Sequence, residues 1–475
     1  MLPSYLWSSL IIRSNKKKPY LVGYSLSYLP LQLARSGTFY SETLFLRLVL
    51  FFALYLPISI SSHAIELFDN VQVHGFASQT MFLTSGNNMF GPSISNPSFD
   101  FTELGINGSW SPLSNLRLSM QVLSRRAGKG NDGSPVIDFG LMDYSLPFEA
   151  DYRIGIRAGR VRIPYGIYND TRDVAFTRPS ILLPQSIYFE GTRDFTISSD
   201  GLLVYGESRK PWGNLTLELF GGYSRSNEMN PEFSFLSLTG NLEPNLGFSG
   251  RLNYETYDGS LRFALSGAYI PMEYKSGSPF SIGPTGTLIP KPTNGKLTFT
   301  PMLLSAQYNA DKLTLTSEFS PFFIHTSGLN TIANSLADFN NFAQSYYFQA
   351  AYRFAPQWEL MARYDAMYTN SHDQSGKQTE GKYQSQISRL INSNALGELN
   401  AQQAYDLLRQ APHAYSQFAK TLTVGLRYDI SPMMMIRVEY NYINGTAWLP
   451  TQGNPNQSET KQYWDMFGAQ VSIRF

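Results

Sequence analysis

The chain has 475 residues, of which 43% are hydrophobic, 14% aromatic and 15% charged, with a formal net charge of +1 and no cysteine. The near-neutral balance excludes bulk electrostatic attraction to nucleic acid, and the lack of cysteine removes disulfides, thiolate metal sites and cysteine nucleophiles together. The composition is too aromatic for a disordered chain, and its apolar runs are too short for a bundle of membrane-spanning helices.

The first feature in chain order is residues 44–60, LFLRLVLFFALYLPISI, an apolar run broken by Pro57. Arg47 precedes its core, and Arg35, Lys16, Lys17 and Lys18 lie further upstream. Ser62 and Ala64 are the small residues that a signal peptidase accepts. Residues 1–64 are therefore expected to be an N-terminal extension and signal peptide, cleaved near Ala64, with residues 65–475 as a single domain. A retained anchor is the alternative.

From Val71 onward, segments of about ten residues alternate apolar and polar, the pattern of strands in a membrane barrel. Leu116, Leu118, Met120 and Val122 alternate with Arg117, Ser119 and Gln121, and Leu215, Leu217 and Leu219 with Thr216 and Glu218. Leu422, Val424, Leu426 and Tyr428 alternate with Thr423, Gly425 and Arg427, and Ile436, Val438, Tyr440 and Tyr442 with Arg437, Glu439 and Asn441. A sandwich core could not bury such large charged members. A barrel with lipid outside and water inside satisfies both faces.

Tight turns are expected at 112–115, 147–151, 210–214, 257–260, 309–312, 355–357 and 430–433. Long loops are expected at 84–98, 127–135, 165–199, 226–246, 276–291, 326–344, 370–418 and 449–462. With an opening strand at Val71 and a closing strand at 463–475, the fold class is all-β: a transmembrane antiparallel up-and-down β-barrel of about sixteen strands. A count of roughly fourteen or eighteen stays open, because the pattern changes phase near Phe101 and Ile137. In the closing strand Phe467, Ala469, Val471, Ile473 and Phe475 alternate with Gly468, Gln470, Ser472 and Arg474. A terminal Phe on such a strand resembles the signal that outer-membrane assembly machinery recognises, which places the chain in the outer membrane.

The third long loop follows the fifth strand and reads RVRIPYGIYNDTRDVAFTRPSILLPQSIYFEGTRDF over 160–195. It interleaves Arg160, Arg162, Arg172, Arg178 and Arg193 with Asp170, Asp173, Glu190 and Asp194, among the aromatics Tyr165, Tyr168, Phe176, Tyr188 and Phe189 and the stiffening Pro164, Pro179 and Pro184. A loop of this length is functional or disordered, and Ile181, Leu182 and Leu183 require burial. The expectation is a segment folded into the barrel, with Arg160, Arg162, Asp170, Arg172, Asp173, Arg178, Glu190 and Arg193 at a constriction. The alternative is a solvated loop whose charges merely pair.

The whole of residues 65–475 resembles the sixteen-stranded porins. The Gly- and Arg-rich strand running into Pro164-Tyr165-Gly166 is similar to the phosphate-selective (O/P-type) relatives. The resemblance implies a water-filled channel for passive diffusion of small hydrophilic solutes, an inward third loop and a homotrimer, in contact with outer-membrane lipid and lipopolysaccharide. It does not carry the substrate over.

On the polar strand face stand Arg117, Arg153, Arg157, Arg251, Arg262, Arg353, Arg363, Arg427, Arg437 and Arg474, facing Glu218, Glu255, Glu318, Asp365 and Glu439. This arginine surplus on the lumen wall implies an anion lean unless the charges pair off. Gly159 is a candidate bulge that would turn Arg160 and Arg162 onto the face of Arg153 and Arg157. Apolar residues at helical spacing from Ile391 to Leu408 predict one short helix in the seventh loop. No nucleophile elbow, phosphate-cradling loop or zinc-binding helix motif occurs, and no enzyme, cofactor or metal is implied. A non-conducting structural or adhesin barrel, or an outer-membrane barrel hydrolase using His325 or His372, is the alternative.

Overall fold

The computed structural model describes residues 65–475, apart from 69, 150, 229–239, 278–279, 283–287, 291–293, 330–339, 394–399, 401, 405–411 and 455–456. The signal peptide expected over residues 1–64 lies outside the described residues, as does most of the helix expected from Ile391 onward.

Sixteen long strands make the wall. They are β1 (Val71–Thr84), β2 (Ser98–Leu113), β3 (Leu116–Ala127), β4 (Asn131–Glu149), β5 (Tyr152–Arg162), β6 (Ser198–Lys210), β7 (Gly213–Ser224) and β8 (Leu246–Glu255) in the first half. The second half holds β9 (Leu261–Ser276), β10 (Gly295–Asn309), β11 (Leu313–Ser327), β12 (Asn340–Ala355), β13 (Trp358–Tyr368), β14 (Phe418–Ser431), β15 (Met434–Gly445) and β16 (Tyr463–Arg474). A short strand, Gly240–Pro244, prolongs the line of β8 along β9. Each strand pairs antiparallel with its sequence neighbour, and β16 pairs with β1 from Phe76↔Arg474 to Thr84↔Met466. That last ladder closes the barrel and leaves its wall without an edge.

Alternation decides which face meets lipid. Leu118, Met120, Leu217, Leu219, Leu422 and Val424 are exposed on the outside. The polar residues between them point in, so Arg363, Asp365, Arg437 and Glu439 are almost fully buried. A charge on the outer belt would cost about 2–4 kcal/mol at the bilayer midplane. Exposed Trp110, Trp212 and Trp358 mark the short-turn rim, while Tyr223, Tyr442 and Tyr463 mark the long-loop rim. Two such girdles are the anchors that the membrane–water interfaces select.

All seven expected tight turns occur. The expected long loop at 127–135 does not: β3 reaches Ala127 and β4 starts at Asn131, with Gly130 N–H donating to the Ala127 carbonyl at 3.1 Å. Gly128 supplies the positive φ of 57° that the turn requires. The phase changes are register shifts, opposite Gln121 and Val122 in β4 and between Thr80 and Phe82 in β1. They leave the count at sixteen.

The seventh loop carries a helix, α1 (Lys377–Asn392), which lies ahead of the predicted one. Its first turns, KQTEGKYQ, are polar and show no hydrophobic period. Its start is fixed by Asp373, whose carboxylate accepts from the Thr379 N–H at 2.7 Å.

Candidate functional site

Between β5 and β6, residues 163–197 form no long element. Three short 3-10 turns (Asn169–Thr171, Ala175–Thr177, Glu190–Thr192) and one helical turn (Arg193–Thr196) punctuate an irregular path. Most of it is buried, Ile181 and Phe195 completely. An irregular segment buried this thoroughly must find partners for its backbone polar groups. It finds them on the inward side chains of the wall.

The first anchor is Glu318 of β11. Its carboxylate accepts from the Ile167 N–H at 3.1 Å, Ser305 Oγ at 2.6 Å and Tyr347 Oη at 2.9 Å. Beside it, Arg251 of β8 donates to the Gly166 carbonyl at 3.0 Å and pairs with Asp170 at 2.8 Å and Glu218 at 2.7 Å. On the other side of the barrel, Glu439 of β15 accepts from the Ile181 N–H at 2.7 Å. Arg437 holds the Ser180 and Arg178 carbonyls at 3.0 and 2.8 Å, and Arg363 of β13 holds Ser180 Oγ at 2.8 Å. Apolar contacts follow the same route. Ile181, Leu182 and Phe189 pack with Phe82, Phe101, Trp448 and Trp464, while Tyr165, Ile167, Leu183 and Tyr188 pack with Leu303 and Tyr347.

The third anchor is ionic. Glu103 of β2 takes Arg178 at 2.7 Å and Arg125 of β3 at 3.3 Å, and Arg125 reaches on to Glu190 at 2.5 Å. Arg172 joins Glu190 at 3.3 Å and donates to the Tyr188 carbonyl at 2.6 Å. A second knot ties Arg162 to Asp138 of β4 and to Asp173 at 2.7 Å, and Arg193 to Asp173 at 2.5 Å. Burial opposes ionisation of Glu190, but the guanidinium groups of Arg125 and Arg172 outweigh it and hold its carboxyl down at about 2. Burial likewise opposes ionisation of Asp173, and Arg193 and Arg162 hold it below the usual carboxylate range.

The structure thus brings together Arg162, Arg172, Asp173, Arg178, Glu190 and Arg193, with Asp170 partly exposed beside Arg251. Arg160 is a correction. It pairs with Asp200 at 2.8 and 3.0 Å, and Asp200 alternates with the exposed Leu202 and Val204. Arg160 therefore belongs to the outer face and not to this cluster. Gly159 is no bulge: the ladders run unbroken through Leu141↔Gly159 and Gly159↔Gly201. Its φ of 119°, with the Gly140 carbonyl 2.4 Å from where a Cβ would sit, explains the glycine instead.

The arginines of the wall divide by height. Arg363 and Arg437 grip the segment. Nearer the short-turn rim, Arg157 pairs with Asp143 and Glu218, and Arg353 with Glu359 and Asp429. Arg427 pairs with Asp429. Arg153 donates to Ser145 at 2.7 Å and Arg117 to Ser111 at 3.4 Å, with no carboxylate in ion-pair range among the described residues. Glu103, Arg125 and Asp138 are members that the sequence reading missed. Carrying the inward phase of β3 two residues past Leu123 would have found Arg125.

No family model matches the chain, and no curated protein matches it. Among solved structures, OmpT, an outer membrane protein of Vibrio cholerae, is 10% identical at a TM-score of 0.48, over 86% of this chain and 99% of that one. OmpF of Salmonella typhi, in complex with daunomycin, is 15% identical at 0.46, over 86% and 99%. The outer membrane channel DcaP of Acinetobacter baumannii is 10% identical at 0.47, over 87% and 100%. The closed ladder, the apolar outer belt and the two aromatic rims carry the assignment on their own: the chain is a sixteen-stranded β-barrel of the outer membrane.

Proposed function

We propose that the protein is a porin: a water-filled channel for passive diffusion of small hydrophilic solutes, narrowed by residues 163–197 folded into the barrel. The observation that supports this reading best is the ring of anchors from Glu103, Glu318, Arg363 and Glu439, which draws one segment towards opposite walls. A surface loop has no use for partners on so many strands. A constricting segment needs them, since a narrow passage selects solutes only if its walls keep their place.

On this reading residues 1–64 are removed near Ala64, Phe475 is the mark for the assembly machinery, and lipid, lipopolysaccharide and two further copies surround the barrel. The phosphate-selective resemblance extends no further than an anion lean. Five of the ten wall arginines pair with carboxylates and Arg437 is taken up by carbonyls, so the lean rests on Arg117, Arg153, Arg262 and Arg474 and amounts to a few-fold in permeability.

Planar-bilayer recording of the purified barrel under a salt gradient tests the proposal. Stable conductance steps with a modest anion-directed reversal potential are expected. A folded barrel that never conducts would sink the porin reading in favour of a closed scaffold, and release of fatty acid or peptide fragments by that barrel would favour a hydrolase.

A further inference from the structure

A cavity of about 370 Å³ opens between the β3–β4 hairpin tip, the end of the 163–197 segment and Arg225, and Arg125, Lys129, Asp132, Asp138, Arg193 and Asp194 all line it. We infer that it is a docking site for a zwitterionic solute of amino-acid size, the carboxylate on Arg193 and the ammonium on Asp194. The inference deepens the porin reading, because the cavity lies at the long-loop end and would hold solutes ahead of the constriction.

Arg193 carries the argument. It is 5% exposed, and its shortest approaches to carboxylates, Asp173 at 2.5 Å and Asp138 at 3.9 Å, are both made by Nη2. No hydrogen bond among the described residues uses its Nε or Nη1, and neither atom is among the buried polar atoms that lack a partner. That edge of the guanidinium therefore reaches the cavity, and its fork fits a carboxylate through two parallel hydrogen bonds. By contrast Arg125 is spent: its three nitrogens go to Glu103, Asn131 and Glu190.

The acidic residues decide the class. Asp194 lines the same cavity with no ion pair in range among the described residues, and burial pushes its carboxyl above the ordinary value despite Arg193 and Arg225 nearby. Such a carboxylate gains from a ligand cation. With Asp132 and Asp138 it sets three carboxylates among the cations Arg125, Lys129, Arg193 and Arg225, a mixed lining that suits a ligand carrying both charges better than a dianion such as phosphate or a dicarboxylate. The lining offers no aromatic ring on which a sugar could stack.

Isothermal titration of the full barrel in detergent with L-glutamine, succinate and inorganic phosphate tests the site. Saturable binding of L-glutamine is expected, at least tenfold tighter than either dianion. Asp194→Asn should weaken L-glutamine tenfold or more and leave succinate unweakened. Arg193→Lys keeps the charge beside Asp173 and removes the fork, so it should weaken both. Tighter binding of phosphate or succinate by the wild type, or no binding by a barrel that retains heat-modifiable mobility, would overturn the inference. A barrel that conducts without binding L-glutamine overturns this site alone. One that binds with the expected variant pattern but never conducts keeps the site and overturns the porin reading.

Discussion

The lipid-facing wall and the segment 163–197 are parts of one barrel, yet they are held by opposite means. In the wall, backbone ladders do the holding and outward side chains are exchangeable: Leu219 sits opposite Val204, and Leu217 opposite Leu252, wherever something apolar fits. In the segment there is no ladder, and each stretch depends on a particular wall residue such as Glu318, Arg437 or Glu439. A periodic structure therefore tolerates substitution residue by residue, whereas an aperiodic one concentrates its stability in a few buried polar contacts.

The sharpest way to break this contrast is to remove the segment. Replacing 166–194 by a short Gly-Ser link should leave the barrel folded, since the ladders of β5 with β6 and of β1 with β16 do not use it. Single-channel conductance should rise several-fold. An unchanged conductance would mean that the segment does not narrow the passage.

The seam of the wall is the exception that sharpens the comparison, because there one side chain matters. Phe475 exchanges backbone hydrogen bonds with Gly75 at 3.1 and 3.0 Å, and its ring lies 2.3 Å from where a Gly75 Cβ would be. Gly75→Val must displace that ring and should destabilise the barrel by about 1–3 kcal/mol, read as an earlier transition in denaturant. The same change at Gly206, with nothing within 4 Å of its Cβ position, should cost far less.

These two regions differed just as much in how far sequence reasoning reached. Strand number, turn ends and lipid face follow from a period of two and from turn chemistry, both local. The composition of the segment was legible too, since its prolines, charges and Ile181-Leu182-Leu183 announce an ordered loop. Its partners were not. Arg437 reads like any inward arginine of a strand, and nothing within β15 says that it will hold the carbonyls of Ser180 and Arg178. Arg160 was misplaced for a related reason: a count of charges does not say which side of the wall a strand end presents.

Acidity probes the ionic knots. Glu190 is held down at about 2 and Asp173 lower than usual, so both stay ionised well below neutrality. A depressed folded value stabilises the protein above the unfolded value, about 4.3 for glutamate, and that contribution fades as pH falls towards the folded one. Conductance should accordingly be flat from pH 8 to pH 4.5 and become noisy only as pH drops towards 2, as the segment loosens. Noise that already begins near pH 5 would mean that the knots do not hold these carboxylates.

The smallest expected effect separates two neighbours of the same type. Arg160 meets Asp200, which is more than half exposed, at the outer face, so Arg160→Gln should cost at most about 1 kcal/mol and leave conductance unchanged. Two residues on, Arg162 binds Asp138 and Asp173, both almost fully buried. Arg162→Gln leaves those carboxylates with Arg193 as their one ion-pair partner among the described residues, Gln121 still donating to Asp138, a loss of about 3–5 kcal/mol for a broken buried pair, and should also add open-channel noise. Denaturant midpoints and bilayer traces of the two variants side by side decide whether the division between wall and segment is real. Equal effects would place both arginines on one face and return Arg160 to the constriction.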